Sequence, residues 1–260
     1  MNTNKKWSLS GFVLLAWAMT LAGCGGGGGS GSSTQVAKAT AEGIYGGTLT
    51  GSASNYFQLA VLENGEFWAM YGMRTANVFG VAGFIQGSGT SNDGTFTAAD
   101  TKDFGFNPAV ASPINATYNA AAKTIAGTVS APNGPVTFTG GPIVGSSYDY
   151  NAPAILAAIS GSWATATTIG ESVAINIAAT GTFSAVSNNG CNFSGIVTPR
   201  PSGKNVFTVS LTFGAAPCGL LGQSSTGIAI AYPLNSGQTQ LLISVVDSTR
   251  TRGTVVLGVR

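Results

Sequence analysis

The chain has 260 residues, of which 44% are hydrophobic and only 8% charged, with eleven Lys and Arg, nine Asp and Glu, and no His. A usual domain is ~25% charged, so the solvated surface here must be built from Ser, Thr, Asn and Gly. The absence of His excludes Ser-His-Asp and Cys-His nucleophile activation and every His-ligated metal site, and a net charge of +2 supplies no basic face for nucleic acid.

The chain opens on Lys5 and Lys6, followed by an apolar run from Trp7 to Leu21 that ends in Leu21-Ala22-Gly23-Cys24. The run is near the ~7–15 residues of a signal-peptide core and short of the ~20 that a spanning helix needs. The four closing residues fill the pattern of a bacterial lipoprotein signal, which this segment resembles. The resemblance implies that residues 1–23 are removed, that Cys24 receives a diacylglyceryl thioether, and that the new amino terminus is acylated, with palmitate as the expected chain. Buried acyl carbon contributes ~0.8 kcal/mol per CH₂, and two or more chains give stable anchoring. Gly25 follows the cysteine where Asp would mark inner-membrane retention, so the resemblance implies the cell outer membrane, on either its periplasmic or its surface face. An uncleaved anchor and an ordinary secretory signal with an incidental Cys24 are the competing readings. After removal of the signal 237 residues remain, with nine basic and nine acidic side chains.

Residues 24–41, from Cys24 through Gly-Gly-Gly-Gly-Gly-Ser-Gly-Ser-Ser, have the composition of a flexible tether. From Glu42 onward, short apolar and small-polar alternations bounded by Gly, Asn, Asp or Pro predict antiparallel strands. A first domain, 42–141, is expected to hold eight of them: Gly43–Gly51, Tyr56–Glu63, Glu66–Tyr71, Val78–Gln86, Thr95–Ala99, Ile114–Asn119, Thr124–Ser130 and Val136–Thr139. Asn64-Gly65 predicts a type I′ hairpin turn. Residues 142–154 read as a connector, with a helical turn within Ala154–Ile159. A second domain, 155–260, repeats the rhythm at Gly161–Thr167, Ser172–Ala178, Thr182–Val186, Asn192–Thr198, Val206–Phe213, Gly227–Tyr232, Gln240–Asp247 and Gly253–Val259.

The halves can be overlaid: Ile44-Tyr45-Gly46-Gly47-Thr48 on Ile159-Ser160-Gly161-Ser162-Trp163, Asn64-Gly65-Glu66-Phe67 on Thr180-Gly181-Thr182-Phe183, and Gly94-Thr95-Phe96 on Gly203-Lys204-Asn205-Val206. This reads as an internal duplication, although Gly-rich β sequences also resemble one another by composition. Eight sequential antiparallel strands can close into an up-and-down barrel that leaves no open edge. Gly161-Ser162-Trp163 resembles the Gly-x-Trp entry of lipocalins and related calycin barrels, in which the Trp plugs one end; Tyr45 of Gly43-Ile44-Tyr45 stands where that Trp would be. The expected fold is therefore all-β, with two tandem antiparallel up-and-down, calycin-like barrel domains, and β-sandwiches as the alternative.

Cys24 is assigned to the lipid, so Cys191 and Cys218 remain as an even pair in an oxidising export compartment, where a disulfide is the default over two free thiols. The hairpin between them brings its outer ends to the same end of the barrel. The close carboxylate pairs Glu63/Glu66 and Asp100/Asp103 read as turn and loop charges rather than as an acid–nucleophile couple, and Asp93 as a turn residue rather than a calcium ligand. Metal and cofactor sites are not expected. Phe67, Ala69 and Tyr71 share one strand face and Trp68 and Met70 the other, so both faces need cover. One face filling the barrel and the other meeting the second domain would satisfy this, as would a ligand cavity or an exposed docking patch. Trp68 and Tyr71, with Phe104 and Phe106 in the longer loop Asp100–Pro113, are the candidate binding residues. These features lead to the expectation of a non-enzymatic, membrane-anchored envelope lipoprotein binding a protein or glycan partner. The alternatives are a lipocalin-like carrier of a small apolar ligand, which a cavity of several hundred Å³ would favour, and a carboxylate-dependent envelope enzyme.

Overall fold

The computed structural model describes residues 39–75 and 78–260; the expected signal peptide, Cys24 and most of the expected tether lie outside the described residues. Sixteen strands form two closed barrels. The first consists of β1 Gly43–Thr50, β2 Tyr56–Val61, β3 Glu66–Thr75, β4 Val78–Asn92, β5 Thr95–Asp103, β6 Ile114–Asn119, β7 Thr124–Ala131 and β8 Gly134–Gly141. A 3₁₀ turn, Leu156–Ala158, precedes the second: β9 Gly161–Thr167, β10 Ser172–Ile177, β11 Thr182–Ser187, β12 Asn192–Pro199, β13 Phe207–Phe213, β14 Ser224–Pro233, β15 Thr239–Asp247 and β16 Gly253–Val259. Every strand pairs antiparallel with its sequence neighbour, and the barrels close through β1 with β8 and β9 with β16. All sixteen expected strands are present, and closure settles barrel over sandwich.

The corresponding turns repeat in both halves. Leu62 N donates to Glu66 O at 2.8 Å and Gly65 N to Leu62 O at 3.0 Å; in the second barrel Ala178 N donates to Thr182 O at 2.8 Å and Gly181 N to Ala178 O at 2.9 Å. Only the glycine of each turn has positive φ, 81° at Gly65 and 87° at Gly181. This is the three-residue hairpin loop ending in a left-handed glycine, not the type I′ turn expected at Asn64-Gly65. A two-residue turn with both φ positive occurs instead at Asp93-Gly94, with angles of 46° and 81°. The overlay also shifts at the barrel entries. Tyr45 Oη donates to Ala41 O at 2.8 Å and Trp163 Nε1 to Ile159 O at 2.7 Å, each to a carbonyl four residues back. Gly43-Ile44-Tyr45 thus matches Gly161-Ser162-Trp163. At the second entry the Arg260 guanidinium lies 3.9 Å from the Trp163 ring centroid and donates to the carbonyls of Ser160 and Ala158, satisfying the end of the 3₁₀ turn.

Strands with one wet face alternate strictly, as in β6, β10 and β11, whereas β2 is buried at every position and β15 at all but its first. The difference lies in what the outer face meets. Inward residues Phe57, Leu59, Phe67 and Phe96 belong to the core of the first barrel, and Trp163, Ile175, Phe207 and Ile243 to that of the second. A third apolar layer joins the two: Tyr56, Trp68, Met70 and Phe84 from the first barrel pack with Ile228, Ile230, Tyr232, Leu242 and Val255 from the second. Lys38–Arg260 therefore forms one compact unit.

The polar rim of this layer engages many of the few charges in the chain. Arg200 Nε lies 2.8 Å from Glu63 Oε1 and its Nη2 3.4 Å from Glu66 Oε2; Lys204 Nζ is 3.1 Å from Glu42 Oε1, and Arg250 Nη1 2.7 Å from Asp100 Oδ2. Arg250 is presented by a turn built on Asp247, whose carboxylate accepts from Thr249 Oγ1 and from the backbone N–H groups of Thr251 and Arg252. The connector is equally fixed: Asn205 N donates to Tyr150 O at 3.0 Å, Asn235 N to Gly145 O at 2.9 Å, and Ser147 N to Pro233 O at 3.2 Å.

Candidate functional site

The interior side chains of the second barrel form one contiguous apolar cluster. The first barrel is incompletely filled, with a cavity of about 400 Å³ whose walls include Phe57, Phe67, Phe96, Ile125 and Phe138. One end is sealed where the chain enters: Tyr118 Oη donates to Ala39 O at 2.7 Å, Ala41 N to Ser91 Oγ at 2.9 Å, and Tyr45 to Ala41 O. The opposite end is lined by Ser52, Ala53 and Ser54 of the β1–β2 loop, Asn133 of the β7–β8 turn and Phe106 of the β5–β6 loop.

Two polar side chains reach the cavity from the barrel wall. Tyr71 Oη donates to Asp103 Oδ1 at 2.7 Å, and Gly105 N donates to the same oxygen at 2.8 Å. Two glycines make this placement possible. A Cβ at Gly83 would stand 2.4 Å from Tyr71 Oη, and one at Gly105 1.9 Å, so larger residues would displace the hydroxyl from the carboxylate. Asp103 is 4% exposed, and its backbone is pinned by reciprocal bonds with Val110, of 2.7 and 3.2 Å. Burial pushes its carboxyl above the ordinary range despite the bonds from Tyr71 and Gly105, which act the other way. Burial raises the Tyr71 phenol too, and the neighbouring Asp103 charge raises it further.

The candidate residues separate into two groups. Tyr71 and Phe106 line the cavity. Trp68, 1% exposed, lies in the layer between the barrels and stacks on Phe84 at 6.0 Å; Phe84 stacks in turn on Phe104 at 4.7 Å. The cover required by the two apolar faces of β3 thus comes from the barrel interior on one side and the second barrel on the other. Of the carboxylate pairs, Glu63 and Glu66 converge on Arg200, whereas the second is split: Asp100 faces Arg250 and Asp103 turns inward. Cys191 and Cys218 are bonded, with Cα atoms 4.5 Å apart, linking the β11–β12 and β13–β14 connections. Among the described residues no group of three or more Cys, Asp or Glu is placed to hold a metal.

Asp103 was hidden in the sequence because Thr95–Ala99 was expected to end before a solvated loop. The strand continues, and the register against β4 shifts between Ser88 and Thr90, so β5 carries an extra residue there. This bulge moves the buried phase from Phe96 and Ala98 to Thr101 and Asp103. β4 is also longer than Val78–Gln86, because Gly87 and Gly89 leave room for the rings of Phe67 and Phe96 and do not break the strand.

No protein-family model matches the chain, and no curated protein matches it at a significant level.

Proposed function

We propose that this chain is an outer-membrane lipoprotein, anchored through lipid on Cys24, whose first barrel holds a small apolar ligand while the packed second barrel braces it. The cavity of about 400 Å³ carries this reading: it falls within the ~300–1,000 Å³ of small-molecule sites and has their character, apolar walls with a few convergent polar groups. It favours the carrier over the protein- or glycan-binding reading, which would require no interior space. The chain enters the barrel at the sealed end through Ala39 and Ala41, so a tether to Cys24 joins the end opposite the mouth. A non-enzymatic role is consistent with the engagement of Glu63, Glu66 and Asp100 in ion pairs between the barrels.

The test is titration of the chain lacking residues 1–23 with the non-basic fluorophore N-phenyl-1-naphthylamine. Saturable fluorescence enhancement is expected in the wild type, with affinity at least about tenfold weaker in Ala69→Trp, which fills the cavity with an indole. Equal binding by that variant, or no saturable binding to the wild type, would refute the carrier reading. The anchor is tested in parallel by metabolic labelling with an alkyne fatty acid, expected in the wild type and absent in Cys24→Ala; equal labelling would remove the lipid assignment.

A further inference from the structure

On the barrel wall around Asp103 the hydrogen-bond inventory is one-sided. Tyr71 uses its only proton on Asp103 Oδ1, and the nearby Gly105 N–H is directed to the same atom. Among the described residues both bonds to the Asp103 side chain fall on Oδ1, which leaves Oδ2 to accept. Among the described residues no Lys or Arg pairs with this carboxylate: Arg250 is held by Asp100 and Gln86, Arg200 by Glu63 and Glu66, and Lys204 by Glu42. Lys102, the next residue in the chain, pairs with Gln86 on the opposite phase of β5. A carboxylate so buried is ordinarily paired with a cation or fully hydrogen-bonded, and Asp103 has two bonds on one oxygen and no cation. What Asp103 Oδ2 and Tyr71 Oη offer to a cavity occupant is therefore acceptance.

The geometry points to an amphiphilic amine as the ligand class of this cavity: an apolar body inserted among the phenylalanines and a protonated amino group donating to Asp103. The inference rests on the ligand-cavity reading above and adds to it the sign of the head group. The position of the acceptors sets the direction of insertion. Asp103 ends β5, immediately before the loop that carries Phe106 to the mouth, whereas the sealed end is packed by Ala41 and Tyr45. The apolar body enters first and the head group remains near the rim, which Phe106 lines. A fatty carboxylate fits the walls equally well but would bring a second negative charge beside Asp103, where Tyr71 and the Gly105 N–H already direct their protons to Oδ1. An alcohol can donate, but as a neutral group it forms the weaker bond.

The discriminating experiment is displacement of bound N-phenyl-1-naphthylamine by decylamine, decan-1-ol and decanoate, which share one chain and differ in the head group. Decylamine is expected to displace the probe at about tenfold lower concentration than decan-1-ol, as a charge-assisted bond warrants, with decanoate weakest. Asp103→Asn keeps an Oδ1 acceptor for Tyr71 and Gly105. It should still bind the probe saturably and bring decylamine to the level of decan-1-ol within that variant, whereas Tyr71→Phe, which leaves the charge in place, should retain the preference for the amine. Equal displacement by amine and alcohol in the wild type, tightest displacement by decanoate, or an amine preference that survives in Asp103→Asn would overturn the inference while leaving the apolar cavity in place. Failure of the probe to bind the wild type at all would remove both. If Asp103→Asn melts as an unfolded chain, the wild-type ranking of the three compounds still decides the point.

Discussion

Trp68→Ala removes the largest side chain of the layer between the barrels. Trp68 is 1% exposed, stacks on Phe84 with planes 17° apart, and donates through Nε1 to Glu66 Oε1 at 2.9 Å. Glu66 in turn meets Arg200 of the second barrel, so the substitution opens an apolar void and releases one side of a polar bridge. Truncation of a buried Trp costs about 3–5 kcal/mol, a figure that already includes the stacking and the hydrogen bond. Against the roughly 5–15 kcal/mol of a typical fold, this is a large share, and for a chain of this size it corresponds to a fall in Tm of roughly 6–20 °C. The assay is urea denaturation of the chain lacking residues 1–23. In the variant Trp163 is then the sole tryptophan, so fluorescence reports the second barrel while circular dichroism reports both. The two probes should coincide in the wild type and separate in Trp68→Ala, because the layer that couples the barrels is the part removed. Trp68→Phe, which keeps a ring against Phe84, should recover most of the loss. A cost under about 1 kcal/mol for Trp68→Ala, with coincident transitions, would refute the view that this layer is a shared core.

The Cys191–Cys218 bond closes a separation of 27 residues within the second barrel, so its reduction is expected to remove about 3–4 kcal/mol, read from the Trp163 fluorescence transition of Trp68→Phe with and without dithiothreitol; identical midpoints would show that the bond does not stabilise the barrel. Acid should loosen the inter-barrel rim. Burial pushes the Glu63 carboxyl up, but the hydrogen bond from Arg200, a backbone N–H and the Arg200 charge outweigh it, and the group titrates below its ordinary 4.5. A carboxyl depressed in the folded state stabilises above its unfolded pKa and loses that contribution as pH falls through the folded value. Glu63→Gln should therefore be less stable than wild type by about 0.2–1 kcal/mol near neutrality, the range for a partly exposed pair, with the gap closing below about pH 4.5. A constant gap across that range would dissociate Glu63 from the effect.

The positions of the strands were legible because their signals are local: alternation on a pleated ribbon and turn residues such as Gly65, Gly94 and Gly181 depend on a few neighbours along the chain. The disulfide was legible for a related reason, since one hairpin lies between its two cysteines. The apolar residues on both faces of Phe67–Tyr71 showed that cover was needed on each side, without showing what supplied it. Only the tertiary structure decided that Trp68 faces the second barrel and Tyr71 the interior of the first. Glu63 meets Arg200 across 137 residues of sequence, a distance over which no periodic pattern carries information. The inward turn of Asp103 depends on a single extra residue in β5, which reverses every later side chain while leaving composition unchanged. The cavity is the most global of these features. Eight strands contribute to its volume at once, so whether their side chains fill a barrel, as around Trp163, or leave room, as beside Tyr71, is fixed by the sum of their sizes and the shape of the closed sheet, and no single strand records it.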